Sequence, residues 1–113
     1  MRRLLIVAAC AISLILLTLP IIHYSRTKTN EKEMAIEECV KACREALISG
    51  KDLSSGPCLL NPIPNLKNWV CDVAHSPRQE IDNLPENQCP LFREGKASHF
   101  VEVDLACNFI RAI

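Results

Sequence analysis

The chain is 113 residues long and balances 13 Lys and Arg against 13 Asp and Glu. That length allows one small domain and little more. Zero net charge and an aromatic content of 4% argue against nucleic acid as a partner, because such binders rely on excess cations and on rings that stack with bases.

Residues 4–22, LLIVAACAISLILLTLPII, form a run of 19 without a charge. As a helix rising 1.5 Å per residue, the run spans roughly 29 Å, close to the hydrocarbon thickness of a bilayer. A basic flank, Arg2 and Arg3, precedes it. Signal peptidase requires small residues after a shorter apolar stretch, whereas this run ends in Pro20, Ile21, Ile22, His23 and Tyr24. The pattern therefore predicts an uncleaved anchor, with residues 4–22 in contact with membrane lipid, a kink at Pro20, and His23 and Tyr24 at the interface. Val7, Ala8, Ala9 and Cys10 resemble the site of a lipid-modified cysteine, but too few apolar residues come before them and too many follow. Cys10 is read as a small residue embedded in lipid.

These features divide the chain into an anchor with its flanks (1–28) and a small cysteine-rich domain (29–113), with 27–30 as the linker. The domain carries all 13 acidic residues and nine of the basic ones, a net charge of −4. Six of the seven cysteines lie in it: Cys39, Cys43, Cys58, Cys71, Cys89 and Cys107. A chain of this size buries only about 60–65% of the surface that its unfolded form exposes, so a staple is expected. The basic residues on the two sides of the anchor nearly tie. The cysteines favour a domain outside the cytoplasm, since disulfides persist in oxidising compartments, with hyperthermophile cytosols as the exception. The protein is thus expected at the cell membrane, single-pass, with an extracytoplasmic C-terminal domain.

Residues 31–49 predict an amphipathic helix, with Ile36, Val40, Cys43 and Leu47 on one stripe and Cys39 and Ala46 beside it. Asn30 and Glu33 resemble a capping box, Glu37 and Lys41 an i,i+4 pair, and Gly50 a residue that ends the helix. From 50 to 95, six prolines break any longer helix. Two segments read as strands: 68–74 (NWVCDVA), with Trp69, Cys71 and Val73 inward, and 98–104 (SHFVEVD), with His99, Val101 and Val103 on one face and Phe100, Glu102 and Asp104 on the other. Pairing them gives an α+β fold: a transmembrane helix, one amphipathic helix, then a loop-rich, cysteine-stapled domain with a small two-stranded sheet.

Cys39 and Cys43 lie at i and i+4 and share a helix face, so each is expected to bond a distant segment. Among the six domain cysteines, about 12 of 15 pairings then remain. The rival chemistry is tetrahedral zinc held by Cys39, Cys43, Cys71 and His75, at roughly the spacing of two ligand pairs. No other cofactor is indicated. A thiol-redox role lacks a C-x-x-C motif. Acid–base catalysis would have to draw on Asp72, His75, Arg78, Asp82, Glu86, His99, Glu102 and Asp104, and the plainer reading makes these surface charges and turn formers. The glycines form no phosphate-binding loop, and no G-x-S-x-G surrounds Ser54 or Ser55. No catalytic residue is assigned. The function expected is that of a structural or interaction module with its protein partner open; the alternative is a membrane-tethered metal-binding or thiol-redox domain.

The segments LSSGPCL (53–59), WVCDVAHSPRQEIDNLPENQC (69–89) and FREGKASHFVEVD (92–104) resemble those of a family of small uncharacterised archaeal proteins, membrane-anchored and cysteine-containing. The resemblance covers roughly 39–108. It implies an archaeal cell membrane and carries no activity, cofactor or site.

Overall fold

The structure is a computed structural model that describes residues 1–113, with side chains described for all but residues 17 and 24–29. The chain forms two compact units, Met1–Glu31 and Lys32–Ile113.

In the first unit, Arg2–His23 is helical, 22 residues long and apolar enough to cross a membrane. None of its described residues is buried by protein: Leu4, Ile12 and Ile21 are among the large apolar side chains left exposed. Its two hydroxyls are satisfied within the helix, Ser13 Oγ donating to the Ala9 carbonyl at 3.0 Å and Thr18 Oγ1 to that of Ile15 at 3.1 Å. Such back-bonding suits an apolar surrounding, where a hydroxyl without a partner is costly. Pro20 lies inside the helix. The interfacial role read for Tyr24, and the linker apart from Asn30, fall outside the described side chains.

Helix α1 is assigned over Arg2–Ile48. No helix begins at Asn30, so the expected capping box is not formed; Asn30 and Glu33 are ordinary exposed helical positions. The C-terminal end follows the sequence closely. Gly50, at φ +80°, donates its N–H to the Leu47 carbonyl, and Lys51 donates to that of Ala46, the bond pattern of a helix closed by a left-handed glycine. The buried line of the helix is Ala35, Cys39 and Cys43, with Ile36, Val40 and Ala46 half-buried beside it. Leu47, expected on the buried stripe, is exposed.

The expected two-stranded sheet is corrected to four strands in the order β1-β2-β3-β4: β1 (Cys58–Leu60), β2 (Trp69–Val73), β3 (His99–Val103) and β4 (Phe109–Ala112). The two segments read from sequence are its central pair, β2 and β3. They run parallel, matching Trp69 with His99, Cys71 with Val101, and Val73 with Val103. β1 and β4 add antiparallel edges, each with a register shift. The edges escape a pattern search because they are only three and four residues long, too short for alternation to stand out.

A parallel pair requires a crossover, and the connection 74–98 provides it. It holds two 3₁₀ turns (Glu80–Asn83 and Pro85–Asn87) and the single helical turn α2 (Pro90–Arg93). One face of the sheet packs Trp69, Cys71, Val73, Val101 and Val103 into a core shared with α1. The other face packs Val70 and Phe100 against Cys89, Leu91 and Ala97 of the connection. Covering both faces explains why every residue of β2 is buried, rather than the inward three alone.

Three disulfides join these layers: Cys39–Cys71 from α1 to β2, Cys43–Cys107 from α1 to the turn before β4, and Cys58–Cys89 from β1 to the crossover, with Cα separations of 5.3, 5.5 and 5.0 Å. Cys10 is free and exposed.

Candidate functional site

The crossover leaves β2 through Val73 and Ala74, passes His75 and the cis Ser76–Pro77 peptide, and returns over the sheet through Arg78 and the first 3₁₀ turn. That path lays charged side chains over the end of the sheet's second face, where Asp72 on β2 sits beside Glu102 on β3. The plainer sequence reading, surface charges and turn formers, is corrected here for three of them: Asp72, Asp82 and Glu102 are 8%, 1% and 4% exposed.

Glu102 is neutralised by two arginines. Arg78 donates from Nη1 to Oε1 at 2.7 Å, and Arg111 of β4 donates from Nε to Oε2 at 2.8 Å and from Nη2 to Oε1 at 3.5 Å. Arg78 is itself fixed, its Nε donating to Asn83 Oδ1 at 2.8 Å and its Nη2 to the Asp82 carbonyl at 3.4 Å. Arg111 lies over the Phe100 ring, 5.1 Å from its centroid. Arg111 is not singled out by the sequence, because β4, with four residues, is too short for its alternation to stand out.

Asp82 organises the turn. Burial disfavours its charge, but N–H donors from Gln79 and His75 and the His75 ring outweigh this and hold the carboxyl below its ordinary value of 3.8. Its Oδ2 accepts from the backbone of Gln79 at 2.8 Å and of His75 at 3.1 Å, and Oδ1 lies 2.8 Å from His75 Nδ1. An ionised carboxylate only accepts, so Nδ1 carries the proton. Gly56, at φ +68°, packs over this pair: a Cβ there would overlap Asp82 Oδ1 and lie 3.0 Å from the Val73 carbonyl.

Asp72 is the member without a cation of its own. Its Oδ1 is buried with no hydrogen-bond partner. Burial, then the neighbouring Glu102 charge, push its carboxyl up to about 7, against a smaller opposing pull from Arg78.

Of the residues considered for acid–base work, the fold gathers Asp72, His75, Arg78, Asp82 and Glu102. Glu86 is exposed in the second 3₁₀ turn. His99 stacks on Trp69 at 4.6 Å, with Nδ1 against the Ile113 carbonyl. Asp104 accepts from the N–H groups of Ala106 and Asn108 and shapes the turn before β4. Among the described residues, no hydroxyl or thiol hydrogen-bonds to His75, so the His75–Asp82 pair orients an imidazole without an attached nucleophile.

The alternative zinc set is not assembled. Cys39 and Cys71 are bonded to each other and Cys43 to Cys107, which consumes the thiolates a metal would need, and His75 turns to Asp82. Among the described residues, no group of three or more His, Cys, Asp or Glu could hold a metal ion.

Two surface clefts flank His75 and Ser76. One, of about 260 Å³, is bounded by Arg78, Glu102, Ile110 and Arg111; the other, of about 290 Å³, is bounded by Pro77, Gln79, Asp104, Leu105 and Ala106. No family model, curated protein or solved structure matches the chain.

Proposed function

We propose that the protein is a single-pass membrane protein whose disulfide-stapled domain lies outside the cytoplasm and serves as an interaction module. The observation that carries this reading is the closure of all six domain cysteines into three bridges in a chain that also has a helix apolar and long enough to cross a bilayer. Disulfides of this number belong to oxidising compartments, and an apolar helix on the same chain provides the tether. The engagement of all six domain cysteines in disulfides supports this reading over thiol or metal chemistry that would need them as thiolates.

Membrane fractions washed with carbonate, followed by protease added to intact cells, test the reading. The chain should remain with the membrane and its domain should be cut from outside, with three bridged peptides recovered after trapping of free thiols. A soluble species beginning after residue 22, or a domain protected until the membrane is breached, would overturn it.

A further inference from the structure

We infer that the cleft between the His75–Arg78 turn and β4 is a binding site for an oxyanion, presented as a carboxylate or as a phosphate group. Its charge is layered. The Glu102 side chain is only 6% exposed, whereas those of Arg78 and Arg111 are 34% and 48% exposed, so the negative charge faces the sheet and the positive charge faces solvent.

Two guanidiniums share the single Glu102 carboxylate, so neither is fully engaged by it. Asp82 is committed to His75. Asp72, the remaining carboxyl under this face, is pushed up to about 7 by burial and by Glu102, so it is only about half ionised at neutral pH, and it does not line the cleft.

The donors are also fixed in advance. Both guanidiniums are gripped by Glu102, Arg78 is held further by Asn83, and Arg111 rests on Phe100. Each retains N–H groups beyond those its contacts use, in the planar fork that matches two oxygens of one anion. Ordering two long side chains is a large part of what binding costs, and here folding has already done it. Ser76 and His75 extend the polar lining, Ile110 forms an apolar wall, and about 260 Å³ suits a small oxyanion or the acidic end of a larger molecule.

The test titrates the oxidised full-length chain, in non-ionic detergent, with sodium phosphate and with sodium acetate against sodium chloride at constant ionic strength. The readout is the Nε–H resonances of Arg78 and Arg111. Saturable shifts with phosphate, with acetate or with both support the site and say which group it accepts. Linear shifts shared equally with chloride would overturn it. Ile110→Glu places a like charge on the wall without touching the buried network and should weaken binding by about tenfold or more. Ser76→Asp does the same from another lining residue should the first variant fail to fold. Unchanged affinity in a folded charge variant would also overturn the site.

Discussion

Asp72 and Glu102 are register partners on the parallel strands β2 and β3, and of these two carboxyls the arginines of the site bond Glu102. Two carboxyls therefore lie side by side under one sheet face, one neutralised and one with a bare buried oxygen. Burial is the largest cause raising the Asp72 carboxyl to about 7, followed by the Glu102 charge, while Arg78 and the Val73 backbone N–H pull it down and Asp82 adds a smaller push upwards.

Stability should consequently fall as pH rises from about 4 to 7. In that window the folded chain keeps the Asp72 proton that the unfolded chain, titrating near 3.8, has released. At a limit of about 1.4 kcal/mol per pH unit, the whole effect is on the order of 4 kcal/mol. Asp82 works in the opposite sense: held below 3.8, it contributes stability that is lost as the solution is acidified through its folded pKa. Denaturant unfolding of the oxidised chain at a series of pH values, read by the fluorescence of Trp69, should show maximal stability at about pH 4 to 5. Asp72→Asn should abolish the decline towards neutral pH and stabilise the protein at pH 8. A wild-type profile that is flat between these limits would contradict the assignment.

Glu102→Gln removes the charge while keeping the shape. The arginines are a third to a half exposed and regain water, so the expected loss is moderate, about 1–3 kcal/mol. Because the Glu102 charge is the second largest cause raising Asp72, the same variant should lower the Asp72 titration midpoint, measurable by carbon-13 shifts of its carboxyl. An unmoved midpoint would show that the two carboxyls do not sense each other.

The sequence made the central strands legible because 68–74 and 98–104 are long enough for alternating side chains to register, and Gly50 marked the helix end for the same local reason. The edges were hidden: β1 lies between Pro57 and Pro62 with three residues, and β4 follows a turn with four. The disulfide partners were not legible, since Cys43 and Cys107 meet only through the tertiary fold, 64 residues apart. The site was half visible. Asp72, His75, Arg78, Asp82 and Glu102 could be named as polar residues, but their convergence depends on a crossover laid over the second sheet face. A parallel pairing of this kind leaves no local mark on either strand.

Gly56→Ala should be costly in spite of its size. The position has φ +68°, and the added methyl would collide with Asp82 Oδ1. Left-handed backbone alone costs a non-glycine residue about 1–2 kcal/mol, and displacing a buried carboxylate from three donors adds to it. The His75 ring should be released together with Asp82, so its side-chain resonances should shift more than those of His99, which is stacked on Trp69. A variant as stable as the parent, with an unchanged His75 signal, would show that the turn has room that the structure denies.

The Cys43–Cys107 bridge should contribute the most among the three, because it closes the longest loop, with a sequence separation of 64 against 32 and 31. In the chain-entropy account, a loop of that length is worth about 4 kcal/mol, and the shorter two slightly less each, with overlap among the loops reducing their sum. Those amounts are comparable to the whole margin of about 5 kcal/mol that a domain of this size can be expected to have. Replacing both Cys43 and Cys107 with Ser should therefore leave the domain close to unfolding at 25 °C, and full reduction should unfold it. Cys10→Ser is the control: Cys10 is free, exposed on the apolar helix and bonded to no other sulfur, so the change should leave the unfolding midpoint unmoved. The measurement is the Trp69 transition in denaturant for each variant, with free thiols counted by alkylation. A Cys43, Cys107 double variant that unfolds at the parent's midpoint would remove the disulfides from the account of stability. A parent with six alkylated domain cysteines would remove them from the fold altogether.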